Sequence, residues 1–463
     1  MSKLYVFGIG GTGARVLRSL TMLLASGVKC NMDIVPIIID PDSSADSLTK
    51  AVSTFDAYTK VRANLQYNTG DSHFFGTTIH EDVQRYVIPL QNTDKKKFGD
   101  YISLSTMTPP NQALMRMFFS DDNLGSDMVV GFKGNPNMGS VVLNQFVPSN
   151  AFQQFANKFA QGDAVFIISS IFGGTGASGF PLLLKTLRSN NTVPNFNLLN
   201  NAPIGAVTVL PYFSVQVNPK SSISSSDFID KTKAALAYYD TNVTGTNSID
   251  RLYYIADTAG PTYDNVEGGA GQDNAAHIIE LLSALAVIDF AGAGVQHANS
   301  TKCFEYAINN EVNSVAFRDL GPQSYSLLAE PLTQCLLFRK YLKKSCASQY
   351  RFQPWAVDPG FDQSFFSAGF EQDVELFLEK YEKWLNELDA NSRSFSPFDL
   401  TKNRNIFNMV KGVGAKKTML NNYALFDHTL NAQRRPNGIS KEQWFVDLFY
   451  NATKQLVKRK YNF

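Results

Sequence analysis

The sequence predicts an α/β protein in which a parallel sheet carries packed helices and is followed by a mainly helical C-terminal region. Three observations predict it. The chain opens with an apolar run, a glycine cluster, an amphipathic stretch and a second apolar run, the order of a β-α-β unit. Another apolar run at 164–171 again leads into a glycine cluster and a helical stretch. After Gly294 the apolar spacing becomes mainly helical.

Residues 4–10, LYVFGIG, read as a short buried strand running into glycines. Val16, Leu17, Leu20, Leu23 and Leu24 recur at helical spacing over 14–25, and 34–39 is a second apolar strand ending at Asp40. Residues 44–67 follow as a helix, and 68–127 are polar and irregular with helical pieces. A strand is expected at 128–131, a helix at 141–159 and a strand at 164–171. A helix over 181–188 starts at Pro181, taken as a first-turn position that tolerates proline. Strands at 204–210 and 251–256, a helix at 228–239 and a long helix from Asn274 to about 288 complete this half. Residues 303–318 hold two short strands, and helices follow at 327–342, 371–388 and 443–457. The expected division is 1–273, a sheet domain; 274–292, a central helix and loop; and 293–463, a mainly helical domain.

At 463 residues the chain has room for two or three domains and needs no covalent staple for its core. Its 42 basic residues balance 41 acidic ones, which leaves no electrostatic footprint for non-specific nucleic-acid binding. No run of about 18 uncharged apolar residues predicts a membrane span; 278–295, the nearest to one, contains Glu280 and Asp289. The start, MSKLYVFGIGG, lacks the apolar core of a signal peptide. The four cysteines lie far apart without a CxxC pair, which argues against zinc and disulfides and for a reduced, cytoplasmic setting. The acidic run 371–389 reads as the solvated face of a surface helix, with Glu379 and Lys383 as an i,i+4 pair.

Chemistry gathers at the glycines. Gly8-Ile9-Gly10-Gly11-Thr12-Gly13 lies between a strand and a helix, where exposed backbone N–H groups and the helix dipole favour an anion. Taken alone it also fits the dinucleotide fingerprint, with Asp40 as the ribose acid. The second loop, Gly173-Gly174-Thr175-Gly176-Ala177-Ser178-Gly179, repeats the arrangement on another strand. Two such loops on one sheet can grip two ends of a polyphosphate, and Thr175 adds a hydroxyl donor. A third segment, Gly134-Asn135-Pro136-Asn137-Met138-Gly139, also lies between a strand and a helix; its amides could face a terminal phosphate, and alone it is an ordinary turn.

In order and content these segments resemble the tubulin/FtsZ superfamily of GTP-binding, filament-forming proteins. GIGGTG resembles the family's first nucleotide loop, and IIIDPD its acid-bearing second, with Asp40 and Asp42 in the acid positions. GNPNMG is similar to the loop that senses the γ-phosphate, and FIISSIFGGTGASGFP to the glycine signature. IGAVTVLPYF is similar to the following strand and loop, and IDFAGA, 288–293, to the loop that reaches the next subunit's nucleotide. The resemblance covers roughly 3–292. It implies a parallel-sheet, Rossmann-like GTPase domain with a long central helix, GTP or GDP as ligand, and head-to-tail self-assembly into filaments. It further implies phosphate contacts from Gly10, Gly11, Thr12, Gly173, Gly174, Thr175 and Gly176, and a γ-phosphate contact from Gly134, Asn135 and Gly139. Mg²⁺ would be held by Asp42 or Asp40, guanine read by Asp273 or Asn274, and hydrolysis assisted by Asp289 of a neighbouring subunit.

The departures matter. Phe172 replaces the signature's first glycine, and Ala177-Ser178 stands where the family has Thr-Gly. No Glu or Arg occupies the ribose positions after PYF, where Gln216 or Asn218 could substitute. Val287 and Gly292 replace the catalytic loop's asparagine and second acid, which predicts weak hydrolysis or none. Two alternatives therefore stand beside the filament-forming GTPase. One is a non-polymerising GTP-dependent switch that docks a protein partner through its helical C-terminal domain. The other is an NAD-dependent oxidoreductase, which explains GxGxxG and Asp40 but leaves the other two loops without a use and offers no clear catalytic His, Lys or Tyr-x-x-x-Lys constellation, Tyr239 not being followed by a Lys four residues on.

Overall fold

The structure is a computed structural model; it describes all residues except 1, 43, 69, 92, 94–95, 129–130, 133, 217–224, 258–261, 264–274, 299, 308–311, 346–352 and 358–360. Its centre is a six-stranded sheet, β1 (Lys3–Ile9), β2 (Asp33–Ile39), β3 (Ala164–Ser170), β4 (Ile204–Val209), β5 (Arg251–Ala256) and β6 (Lys302–Ala307). The spatial order is β2-β1-β3-β4-β5-β6, and every pairing is parallel. Strands β2, β3 and β4 are buried along their whole length, which is why they read as continuous apolar runs rather than alternating ones. Pro36 is tolerated because β2 is the edge strand. Ile34 and Ile38 bond outward to Thr78, His80 and Ile88, and Pro36 sits between them on that outer side, so no bond to β1 is lost.

The helices that bear on the site are α1 (Gly10–Ala25), α2 (Asp46–Arg62), α3 (Pro136–Leu143), α4 (Asn150–Lys158), α5 (Gly174–Ser189), α6 (Ser225–Tyr239) and α7 (Ile278–Gly292). Helices α1, α2 and α7 cover one face, with Phe290 of α7 against Phe166. On the other face Phe155 of α4 packs edge-on against Tyr5 and Phe7. Both glycine clusters are helical first turns rather than loops ahead of helices. Pro181 therefore lies well inside α5 and not in its first turn. The single helix expected at 141–159 is broken: Pro148 cannot continue it, and Ser149 caps α4 by accepting from the Phe152 N–H. The central helix starts at Ile278, later than expected, behind a capping box made by His277 and Glu280. Most of the strand expected at 128–131 lies outside the described residues or outside any strand.

The sheet runs past the expected boundary, because β6 pairs with β5 along its length. Beyond it α8 (Pro322–Ser345), α9 (Phe370–Ala390), α10 (Asn422–Asn431) and α11 (Lys441–Lys460) form a helical layer over α1 and α2. Phe377 of α9 meets Tyr58 and Phe75, and Trp384 donates to Ser19 Oγ at 3.2 Å. Arg18 holds Glu387 through two hydrogen bonds of 2.6 and 3.1 Å. Only Ser314–Val315 and Ser394–Phe395 form a strand pair in this region among the described residues. No helix there or elsewhere among them is long and apolar enough to cross a membrane.

Candidate functional site

Chain direction across the sheet reverses between β1 and β3: β1 is followed outward by β2, and β3 by β4 on the other side. The crevice beyond the C-terminal ends of two such strands is where open α/β sheets bind ligands. Both glycine clusters emerge there, α1 from β1 and α5 from β3. They touch. Gly10 has φ +71°, and a Cβ on it would lie 3.3 Å from Thr175 Cβ. The third segment joins them: a Cβ on Gly174 would lie 3.0 Å from the Asn135 N and 3.2 Å from the Gly134 N. Gly139 seats α3 on α5, where a Cβ would come within 2.2 Å of Ser178 Oγ.

These contacts give several glycines a purpose other than open access for a ligand. A Cβ on Gly13 would strike the Gly8 backbone at 2.4 Å, and one on Gly176 the Ser170 carbonyl at 2.6 Å. Gly11 differs. Its Cβ position faces Arg15 Nη1 and Ser47 Oγ, both at 3.4 Å, so polar side chains rather than backbone stand beside it. The Asn135 side chain accepts from the Asn137 and Met138 N–H groups at 3.0 and 3.2 Å, so two of the amides expected to face a terminal phosphate are already capped. Lys231 donates to the Gly134 carbonyl at 2.7 Å and holds this turn, whose glycine has φ +73°.

The acids after β2 lie on the same rim. Asp40 and Asp42 are both buried, and the Asp42 N–H donates to Asp40 Oδ1 at 3.0 Å. Ser44 donates to Asp42 Oδ1 through its N–H at 3.1 Å and its hydroxyl at 2.7 Å. Burial pushes the Asp40 carboxyl up to about 7; the Asp42 N–H opposes this, the Asp42 carboxylate adds to it, and Arg15 opposes it. Among the described residues no three His, Cys, Asp or Glu side chains form a metal-binding group. The fit to Mg²⁺ rests on these two carboxylates, a number that suits an ion holding phosphate oxygens and waters as well.

Sequence reasoning missed the polar network behind the rim. Arg15, one turn into α1 and 9% exposed, donates from Nε to Glu280 Oε1. Its Nη2 reaches Thr12 Oγ1 at 3.3 Å and Tyr212 Oη at 3.1 Å, and Nη1 lies 3.5 Å from Ser47 Oγ. Glu280, 1% exposed, also accepts from the His277 N–H at 3.1 Å and from Tyr212 at 3.3 Å. Burial, then Arg15 and Arg393, press the His277 imidazole down to about 3, so it is neutral. Its Nδ1 accepts from the Ile279 N–H at 3.1 Å, while Nε2 is buried without a partner among the described residues. A basic residue directly after GGTGA was the available signal.

Asp289 is not brought to this rim. It lies near the end of α7, at the N-terminal edge of the sheet, where Arg251 Nη1 reaches its Oδ2 at 3.0 Å and the Tyr253 hydroxyl donates to the same atom at 2.6 Å. The segment expected as a catalytic loop is helical as far as Gly292. Asp273 and Asn274 lie outside the described residues, as does Asn218; Gln216 is described and exposed.

The chain is an α/β protein with a six-stranded parallel sheet, flanking helices and a mainly helical C-terminal region. No protein-family model and no curated protein matches it. Among solved structures it is similar to CetZ1 from Haloferax volcanii, a GDP-bound monomer, at 12% identity over 57% of this chain and 51% of that one, with a TM-score of 0.27. It is also similar to CetZ from Methanosaeta thermophila strain DSM 6194, at 15% identity over 62% and 52%, with a TM-score of 0.27. The chain spans about half the length of both of these structures. Likeness at that level assigns no residue, and the site stands on its own geometry.

Proposed function

We propose that the chain is a tubulin/FtsZ-like protein that binds GTP or GDP across the C-terminal rim of its sheet and assembles head to tail. The observation that carries this reading is the meeting of three glycine-bearing turns at the switch point, with Gly10 against Thr175 and Gly174 against Asn135. One anion nest serves a single phosphate, whereas three adjoining turns suit a phosphate chain better than the single fingerprint of a dinucleotide enzyme. Gly10, Gly11 and Thr12 would hold the α- and β-phosphates beside Gly173, Gly174, Thr175 and Gly176, with Gly134, Asn135 and Gly139 toward the γ-phosphate. Asp42, with Asp40 beside it, would hold Mg²⁺, which supplies neutralisation of phosphate charge. Guanine selectivity would fall to Asp273 or Asn274.

Asp289, on the opposite edge, could meet a nucleotide only on a neighbouring subunit, as head-to-tail stacking requires. A heterologous contact of that kind extends without closing. The pairing of Asp289 with Arg251 and Tyr253 favours slow turnover, and with it the second reading, a GTP-dependent switch that docks a partner and does not polymerise. Sedimentation with GTP, GDP and a slowly hydrolysed GTP analogue separates the two. The filament reading expects pelleting with GTP or the analogue and not with GDP, and it is overturned if no nucleotide causes pelleting. Mass analysis of co-purified nucleotide tests the site itself: guanine nucleotide is expected, and a nicotinamide nucleotide would overturn it.

A further inference from the structure

We infer that Arg15 is itself a phosphate ligand, held ready beside Gly11 by the carboxylate of Glu280; this rests on the nucleotide reading above. Four of the five guanidinium hydrogens have defined acceptors or a near neighbour: Nε–H is taken by Glu280, Nη2 by Thr12 and Tyr212, and one Nη1 hydrogen lies at the hydrogen-bond limit from Ser47. Nη1 is also the atom closest to the Cβ position of Gly11, at 3.4 Å. The group with the weakest protein contact is therefore the one that faces the glycine turn. A phosphate oxygen seated on the Gly11 and Thr12 amides would come within reach of Nη1, and the bond would be charge-assisted. The Glu280 side chain fixes the fork through Nε and is itself fixed by the His277 N–H, so the cation is positioned before any ligand arrives.

The test separates a ligand role from a structural one. Removing Arg15 alone leaves a buried carboxylate, so the informative variant is R15Q/E280Q, in which two amides replace the ion pair. It is compared with wild type, E280Q and R15K/E280Q, using calorimetric titration of GDP, inorganic pyrophosphate and guanosine, together with thermal unfolding. E280Q keeps an oxygen acceptor for the Nε–H group and is the reference against which both double variants are read, because they differ from it at Arg15 alone. R15Q/E280Q is expected to unfold near E280Q but to bind GDP and pyrophosphate about 10- to 100-fold more weakly, with guanosine binding unchanged. R15K/E280Q is expected to recover part of that loss, since a lysine restores the charge without the fork; it also serves if R15Q/E280Q does not fold. Binding of GDP by R15Q/E280Q within about twofold of E280Q, or an equal loss for guanosine, overturns the inference and leaves the nucleotide reading standing. Failure of the wild type to bind either GDP or pyrophosphate removes the nucleotide reading, and the inference with it.

Discussion

Replacing Gly139 by alanine probes how closely α3 is seated on α5, and with it the position of the Asn135 turn. The added Cβ would lie 2.2 Å from Ser178 Oγ, 2.8 Å from the Gly174 carbonyl oxygen and 3.0 Å from Ser178 Cβ, whereas ordinary contact begins at 3.4 Å. The hydroxyl could rotate, at the expense of its 2.6 Å hydrogen bond to Gly174, but the carbonyl is backbone and cannot. The helices must therefore part by several tenths of an ångström. Overpacking of this kind costs about 1–3 kcal/mol. Alanine in a helix interior returns about 0.5–1 kcal/mol over glycine, so the expected net loss is about 1–2 kcal/mol. Urea unfolding would record it as a lower midpoint at unchanged slope. Ser178→Ala removes the closest contact and leaves those at 2.8 and 3.0 Å, so G139A/S178A should be less destabilised than the sum of its single variants, by about 0.5 kcal/mol or more. Because Asn135 is one turn away and packs on Gly174, G139A should also weaken GDP binding. A G139A midpoint equal to wild type, with no coupling to Ser178, would refute the close seating of the two helices.

Four further outcomes are expected. Asp40 is held up to about 7 by burial against an ordinary 3.8, so the folded chain keeps a proton that the unfolded chain has released. Stability of the nucleotide-free protein should then fall as pH rises from about 4 to about 7, and Asp40→Asn should flatten part of that fall in urea midpoints; Glu371, also raised to about 7 by burial, acts in the same direction and remains in the variant. Arg18→Met leaves the partly buried Glu387 with the Ala276 N–H but without its cation, and should cost roughly 1–3 kcal/mol in unfolding free energy, most of it regained in R18M/E387M. Thr175→Ala should lower GDP affinity by about tenfold in a calorimetric titration through loss of a hydroxyl donor. Asp289→Asn should leave GDP affinity within about twofold, since a single hydrogen bond carries more than that, while phosphate release from any assembled material ceases.

The β-α-β start, the second glycine-bearing strand and the mainly helical end were legible because each announces itself locally, by continuous apolar runs, glycine clusters or 3.6-residue spacing. The strand at Lys302–Ala307 was also visible, but its membership of the main sheet was not, because strand order depends on contacts between residues some fifty positions apart. The break before α4 could have been inferred from Pro148 followed by Ser149, which the apolar spacing on either side outweighed. The Arg15–Glu280 contact joins residues 265 positions apart and leaves no periodic trace in the chain. The purpose of each glycine was hidden for the same reason. Gly11 and Gly13 look alike in sequence, yet one stands beside the Arg15 and Ser47 side chains and the other lies against the backbone of Gly8.

Helix α1 carries the first glycine turn at its leading end, while Arg18 and Ser19 on its flank are fastened to Glu387 and Trp384 of α9. A fragment ending near 292 would strip that cover from α1 and α2, leaving a cation and the Tyr58 and Phe75 rings exposed to water. The C-terminal helices are thus a third storey of one building rather than an annex, and any tilt of α1 when its leading end is loaded must be felt by α9.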